Sequence, residues 1–172
     1  MSFASDCEKF RMKSFNGRMN VVVRKVSLDL FKKVVEKTPV DTGRARGNWM
    51  VGINHIPIGS GLDKKNPIGR IVADVLKAKA GDNIALANTL PYIGKLEYGG
   101  FPNPPKKGSW IKGTGKRSKK TGKYLKGGQG HYEVKSEGGY SRQAAQGMVR
   151  ITVEEYKPTL VEAVAYAKGL VK

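Results

Sequence analysis

Thr38-Pro39-Val40-Asp41-Thr42-Gly43-Arg44-Ala45-Arg46-Gly47-Asn48-Trp49 is the stretch that decides the fold. Pro39 donates no backbone hydrogen bond and disfavours helical geometry at Thr38, so a helix arriving from the N-terminal side is expected to end here. Asp41 or Thr42 is then expected to cap a new short turn through its side-chain oxygen. The stretch therefore predicts the end of a helix followed by a corner.

Beyond the corner the pattern changes to that of a strand. Gly43 and Gly47 permit tight or left-handed backbone, and Trp49 opens a run in which apolar residues alternate with others to about residue 55. Before the corner, residues 17–37 carry an apolar stripe at helical spacing, which predicts an amphipathic helix. Its other face is basic, which suits either plain solvation or contact with a membrane surface or nucleic acid.

The rest of the chain supplies a few more elements. Helical spacing over residues 68–80 and a short apolar run at 84–87 predict a helix and a second strand, and Pro91 separates that strand from a short helical turn. From Gln143 onward a helical pattern is interrupted by Pro158, so a kink or two consecutive helices are expected. The predicted class is α+β: a small, mostly antiparallel sheet packed by long N- and C-terminal helices, in one domain over 1–172.

Residues 100–142 differ in composition from the rest of the chain. They hold eleven Lys and Arg against two Glu, a net +9, with aromatic residues and many glycines between them. We expect a long basic loop or hairpin arm, and three uses stay open: docking on a neighbouring subunit, a loop without a sharp role, or nucleic-acid contact. The candidate assembly or DNA-facing residues are Lys106, Lys107, Trp110, Lys112, Lys116, Arg117, Lys119, Lys120, Lys123, Tyr124 and Lys126.

The overall charge of +18 favours anionic partners. The sequence has no apolar run of the roughly 18 residues needed to cross a bilayer, so no membrane contact of that kind is expected. One cysteine excludes an intrachain disulfide, and a reducing cytoplasm is the expected compartment of assembly.

Catalytic and cofactor signals are missing from the sequence. The two histidines, His55 and His131, are far apart, and Gly115-Lys116 lacks the other residues of a phosphate-binding loop, with Trp110 and Arg117 at the required Gly and Ser/Thr positions. Glu97 is expected to accept hydrogen bonds from backbone amides or to pair with Arg44 or Arg46, in preference to acting as a base. Neither catalysis nor a cofactor or metal is predicted.

Three blocks of the sequence resemble one protein family. The stretch 38–49 is similar to the signature of the tail-completion and neck proteins of long-tailed DNA bacteriophages, which include the Hong Kong phage gene-product-ten-like proteins and the lambda minor tail protein Z. Residues 88–99 and 141–150 are similar to further segments of that family, in the same order. The long basic segment between the second and third blocks departs from the family pattern.

The resemblance implies a structural virion protein. Such a protein completes the tail and joins it to the head as part of a ring of six or twelve copies around the DNA channel. Its expected partners are other neck, connector, tail-terminator or tail-tube proteins, with DNA in the channel lumen as a further contact. A small basic nucleic-acid-binding protein is the alternative function. The motif residues that carry the resemblance are Pro39, Asp41, Thr42, Gly43, Arg44, Trp49, Pro91, Tyr92, Glu97 and Gly99.

Overall fold

The computed structural model describes residues 3–59, 66–103 and 108–169, without the side chains of 3–14 and 109–111. The helices are α1 (Phe3–Lys37), α2 (Arg44–Gly47), α3 (Pro67–Val75), α4 (Ile93–Tyr98), α5 (Val149–Glu154) and α6 (Tyr156–Gly169). The strands are β1 (Met50–Ile53), β2 (Ile84–Ala87), β3 (Ser109–Ile111), β4 (His131–Glu133), β5 (Ser136–Glu137) and β6 (Tyr140–Ser141).

The fold class is α+β, as the sequence predicts. Strands β1 and β2 form a small antiparallel sheet in which Met50 lies opposite Ala87 and Ile53 opposite Ile84. The pairs β3–β4 and β5–β6 are separate antiparallel ladders. The long N-terminal helix α1 packs along α6 and against α3. The core lies where its C-terminal half meets the corner, α3 and α4, and Val35, Ile71, Val75 and Met148 are its most completely buried apolar residues.

Helix α1 ends where the sequence predicts, at Lys37, but begins at Phe3 instead of near Gly17. Residues 3–16 have good helix formers without a regular apolar stripe, so periodicity alone does not reveal a helix there. Gly17 lies inside the helix, at a cost of about 1 kcal/mol relative to alanine. Strand β1 and helix α3 are both shorter than the ranges 49–55 and 68–80 that the pattern suggests.

The C-terminal segment forms two consecutive helices, one of the two expected arrangements. The break falls at Glu155, so Pro158 lies in the first turn of α6, where a missing amide hydrogen costs no intrahelical bond. At the break the Glu155 carboxylate forms ion pairs with Lys33, at 2.8 Å, and with Lys37, and both lysines belong to α1. Hydrogen bonds from these two ammonium groups lower the pKa of Glu155, and the pairs tie α1 to the α5–α6 break.

Candidate functional site

The three sequence blocks 38–49, 88–99 and 141–150 meet at one place in the fold, which we call the block junction. The Asn48 amide Nδ2 lies 3.1 Å from Asn88 Oδ1 and joins the first block to the second. The Val40 amide donates to Gln143 Oε1 at 2.7 Å and joins the first block to the third. These contacts bridge separations of 40 and 103 residues, so the blocks form one structural unit.

One half of the first block points inward and holds the corner in place. Trp49 is 4% exposed, and its indole Nε1 donates to Thr38 Oγ1 at 2.8 Å, while that hydroxyl donates to the Val34 carbonyl at 2.7 Å. The corner is therefore fixed to the last turn of α1. The buried Asn48 side chain also lies 3.3 Å from Thr89 Oγ1, and the Asn88 amide donates to the Ala45 carbonyl at 2.8 Å, so the side-chain amide nitrogens of Asn48 and Asn88 both have acceptors.

Elsewhere in the first block the expected side-chain cap is wrong, and the alternative pairing of Glu97 with Arg44 or Arg46 does not occur. Helix α2 begins after Gly43, whose φ of 77° is left-handed, and no side chain caps it, so neither Asp41 nor Thr42 has the predicted role. Asp41 instead pairs with Lys135 at 2.5 Å. Arg46 does not pair with Glu97 but donates from Nη2 to the carbonyls of Glu36 and Thr38, and Arg44 lies exposed.

Glu97 joins the second block to the third. Its Oε2 accepts from the amides of Met148 and Val149 at 2.7 and 2.9 Å, and its Oε1 from the amide of Arg150 at 2.9 Å. The Arg150 guanidinium Nε lies 3.4 Å from Oε1. The expected acceptance of backbone amides is confirmed, while the ionic partner is Arg150. A Cβ at Gly147, where φ is +85°, would lie 2.7 Å from Glu97 Oε1, so this approach requires glycine.

The electrostatics keep the Glu97 carboxyl ionised. Burial acts to raise its pKa, but the hydrogen bonds from the Val149, Arg150 and Met148 amides and the charge of Arg150 outweigh burial, so the pKa of Glu97 is lowered. The carboxylate is 6% exposed and already accepts three amide hydrogens. Such a group stabilises the first turn of α5 and is poorly suited to act as a general base, whose pKa is usually raised toward neutrality.

A cleft of about 390 Å³ opens on the outward side of the block junction. Its walls combine apolar side chains with the exposed cation Arg44 and the Asp41–Lys135 pair, a mixture of apolar surface and a few polar groups that is usual in binding pockets. The lining residues are Pro39, Val40, Asp41, Thr42, Arg44, Ala45, Tyr92, Leu96, Phe101, Gly108, Lys135, Ser136, Ser141 and Gln143.

The remaining motif residues of the second block support α4. Pro91 lies in the turn before it, and Tyr92 is its N-cap residue, about one-third exposed on the cleft wall at 36%. Gly99 ends the helix with φ of 83°, and a Cβ there would lie 2.8 Å from the Tyr140 ring. Gly99 therefore allows β6 to pack against the end of α4.

The basic segment forms a hairpin that we call the arm, residues 108–134. The two sides of the hairpin pair first through β3 and β4. Beyond these strands, the Thr114 and Gly115 amides donate to the carbonyls of Gly127 and Gly128 at 3.0 and 2.9 Å. A bond from the Ser118 amide to the Lys123 carbonyl at 2.8 Å closes the turn. Of residues 112–134, Gly128 alone is buried, so the arm projects from the body.

The flanks of the arm belong to the body, so the projecting part is shorter than the segment 100–142. The Gly100 and Phe101 amides both donate to the Gly139 carbonyl at 3.0 Å, and Lys135 is held by Asp41. Of the candidate arm residues, Lys112, Lys116, Arg117, Lys119, Lys120, Lys123, Tyr124 and Lys126 are exposed on the projecting hairpin. Trp110 lies opposite Tyr132 in the β3–β4 ladder, and Lys106 and Lys107 lie outside the described residues.

Several residues of the junction went unrecognised in the sequence. Asn48, Asn88, Gln143 and Arg150 lie within the three blocks, but nothing in their local pattern marks them as partners. By composition Lys135 belongs to the basic segment, although it forms an ion pair with Asp41. These residues become recognisable only when the contacts between the blocks are known. Such contacts join residues 40 to 103 positions apart, which no local sequence pattern reveals.

Over residues 3–59, 66–103 and 108–169, no group of three or more His, Cys, Asp or Glu side chains is arranged to bind a metal ion. None of the helices described is both long enough and apolar enough to cross a bilayer.

Comparison of the chain with protein-family models, with curated proteins and with solved structures gave no match.

Proposed function

We propose that this protein is a structural subunit of the neck or tail end of a long-tailed bacteriophage. In this role it completes the tail and helps to join it to the head, as one of six or twelve copies in a ring around the DNA channel. It is assembled in the host cytoplasm, resides in the virion and has no catalytic activity. The observation that carries the proposal is the meeting of the three family-like blocks at one junction, whose outward side is a cleft.

The proposed ring needs two complementary surfaces on each subunit, because head-to-tail contacts about an axis are heterologous. The cleft at the block junction is one concave surface, and the exposed apolar side chains of α6, such as Val161 and Tyr166 at 68% and 52% exposure, offer a second. Strands β1 and β2 pair only with each other within the described chain, so their outer edges offer backbone groups to neighbours. Neck, connector, tail-terminator or tail-tube proteins would bind above and below.

The test is removal of this chain from the phage that encodes it. The expected result is finished heads and finished tails that fail to join, seen by electron microscopy of the lysate, with joining restored by the unaltered chain supplied in trans. Immunogold labelling of restored particles should place the chain at the neck. Whole, infectious particles formed without the chain would refute the proposal.

A variant of the cleft gives a second, independent test. Arg44→Glu changes an exposed side chain on the cleft wall and leaves the buried half of the corner untouched, so the melting temperature should stay within about 3 °C. We expect the variant to fail in restoring joined particles. Arg18→Glu, also exposed but on α1 and outside both the cleft lining and α6, is the matched control for reversal of one charge.

A small nucleic-acid-binding protein that acts outside the particle is the second candidate function. The exposed cations of the arm favour it. The two functions differ in a simple observation, because such a protein would be absent from purified particles while the neck subunit would be present in a fixed copy number.

A further inference from the structure

The tip of the arm, residues 112–126, concentrates positive charge without any acidic residue. Its seven cations are exposed: Lys112, Lys116, Arg117, Lys119, Lys120, Lys123 and Lys126. None of them forms an ion pair with another described residue. The tip contributes little to the core, and none of its seven charges is offset by a described acidic side chain, so an anionic partner is what they fit.

The cations are displayed on a built ribbon. The two sides of the hairpin approach closely. A Cβ on Gly113 would lie 2.3 Å from the Gly128 carbonyl oxygen, and a Cβ on Gly128 would lie 2.3 Å from the Lys116 carbonyl oxygen. At the turn the Arg117 guanidinium lies 4.1 Å from the centre of the Tyr124 ring and donates to its hydroxyl at 2.8 Å. These contacts between the two sides of the hairpin therefore hold the charged side chains on one projecting element.

The charges argue against a second copy or another protein as the partner of the tip. Subtracting the seven tip charges from the net +18 leaves +11, so the rest of a neighbouring copy is itself strongly basic. The cores of protein interfaces are depleted in lysine, whereas phosphate contacts use it. Recognition of single strands relies on open aromatic faces, and here Arg117 occupies one face of Tyr124, the one aromatic residue of the tip.

We propose that the arm tip binds the phosphate backbone of duplex DNA without reading its sequence. A two-stranded ribbon is narrow enough to follow a groove of the duplex. Cations on the two strands of the ribbon can then reach the phosphates on the two sides of that groove. This inference goes beyond the proposed function, because it concerns the isolated chain and one duplex, with no other virion component.

The salt dependence of binding is the direct measurement. If all seven cations neutralise phosphates, log Kd should change with log salt with a slope of magnitude about 6, and affinity should fall roughly 10³- to 10⁴-fold between 50 and 200 mM salt. Fluorescence anisotropy of a labelled 30-base-pair duplex measures this slope. Two unrelated duplex sequences should give the same affinity, and the corresponding single strand should bind more weakly.

A matched pair of triple variants separates the tip from general charge. The tip variant replaces three lysines at the turn by Gln: Lys119, Lys120 and Lys123. The control variant replaces three exposed lysines of α4 and α6 by Gln: Lys95, Lys157 and Lys168. Both variants carry +15. We expect the slope to fall to about 4 in the tip variant and to stay near 6 in the control, with both melting temperatures unchanged.

Three results would overturn the inference. They are equal losses of affinity in the two variants, tighter binding to vesicles of anionic lipid than to the duplex at equal salt, and absence of duplex binding by the unaltered chain at 50 mM salt. Because phage particles are not used, these results leave the neck proposal standing, and failure of the neck proposal leaves the duplex measurement valid.

Discussion

Glu97 is the residue on which the join between the second and third blocks depends most. Replacement by alanine leaves the amides of Met148, Val149 and Arg150 without their acceptor. We expect Glu97→Ala to lower the free energy of unfolding by about 2–4 kcal/mol, measured by urea denaturation at pH 7. Glu154→Ala, at an exposed position on α5, is the control and should change it by less than about 0.5 kcal/mol. A loss below about 1 kcal/mol for Glu97→Ala would contradict the assigned role.

The lowered pKa of Glu97 also predicts a pH dependence. Its pKa is lower in the folded than in the unfolded chain, so the ionised carboxylate contributes stability above its unfolded pKa of about 4.3, and this is lost as pH falls through the folded value. The free-energy difference between the unaltered chain and Glu97→Gln should therefore be constant near pH 7 and shrink below about pH 4. A difference that grows on acidification would mean that the pKa is raised.

Trp49 is expected to stabilise the corner through both its ring and its indole hydrogen. Trp49→Ala should cost about 3–5 kcal/mol because a buried ring is lost. Thr38→Val removes only the hydroxyl that bonds the indole Nε1 and the Val34 carbonyl, and should cost about 1–2 kcal/mol. Thermal unfolding followed by circular dichroism measures both. Equal costs would show that the hydrogen bonds, and not the packing of the ring, dominate.

At the scale of residues, chemistry was easier to predict from sequence than pairing. A lone carboxylate after an apolar turn suits backbone amides, and Glu97 does accept them. The sequence does not identify its cation, because Arg150 lies 53 residues away, whereas Arg44 and Arg46 belong to the conspicuous first block. Arg46 caps the carbonyl end of α1 instead, a contact set by the tightness of the corner.

At the scale of elements, the arm is the part whose removal should cost the body least. Ile111 lies opposite His131, so replacing residues 112–130 by Asn-Gly closes a two-residue hairpin between strands that already pair. We expect the melting temperature to change by less than about 3 °C, because Gly128 is the one buried residue removed. A fall of 10 °C or more, or an unfolded product, would show that the arm belongs to the core.

Elements with regular apolar spacing were predictable, and elements fixed by long-range contacts were less so. Strand β2 and the short helix after Pro91 follow from sequence because apolar runs and a proline delimit them. The first turns of α1 lack such a stripe. The sequence predicts an interruption at Pro158, but the chain breaks three residues earlier, where Glu155 pairs with two lysines of α1. Local signals therefore predict that a break exists, but the proline lies in the first turn of the second helix and not at the break itself.

At the scale of the whole molecule, charge is divided between a body and a projecting hairpin. The body uses part of its charge internally, in pairs such as Lys33–Glu155 and Lys135–Asp41, whereas the tip of the arm has no described ionic partner. Copies arranged about one axis would repel one another unless salt, DNA or acidic neighbours offset the net +18 of each. The fold class is predictable from the sequence. The division of charge is not, because it depends on which lysines form ion pairs with acidic side chains in the folded protein.

The proposed ring should therefore assemble more readily as salt rises. Repulsion between exposed charges is screened over about 10 Å at 0.1 M salt and over a shorter length above that, while burial of apolar surface is retained. We expect monomers at 50 mM NaCl and larger closed species at 500 mM, measured by light scattering after size-exclusion chromatography. Replacing Lys119, Lys120 and Lys123 by Gln should lower the salt concentration needed, because each copy then carries +15. Rings that form at 50 mM and dissociate at 500 mM would show instead that attraction between opposite charges holds the subunits together.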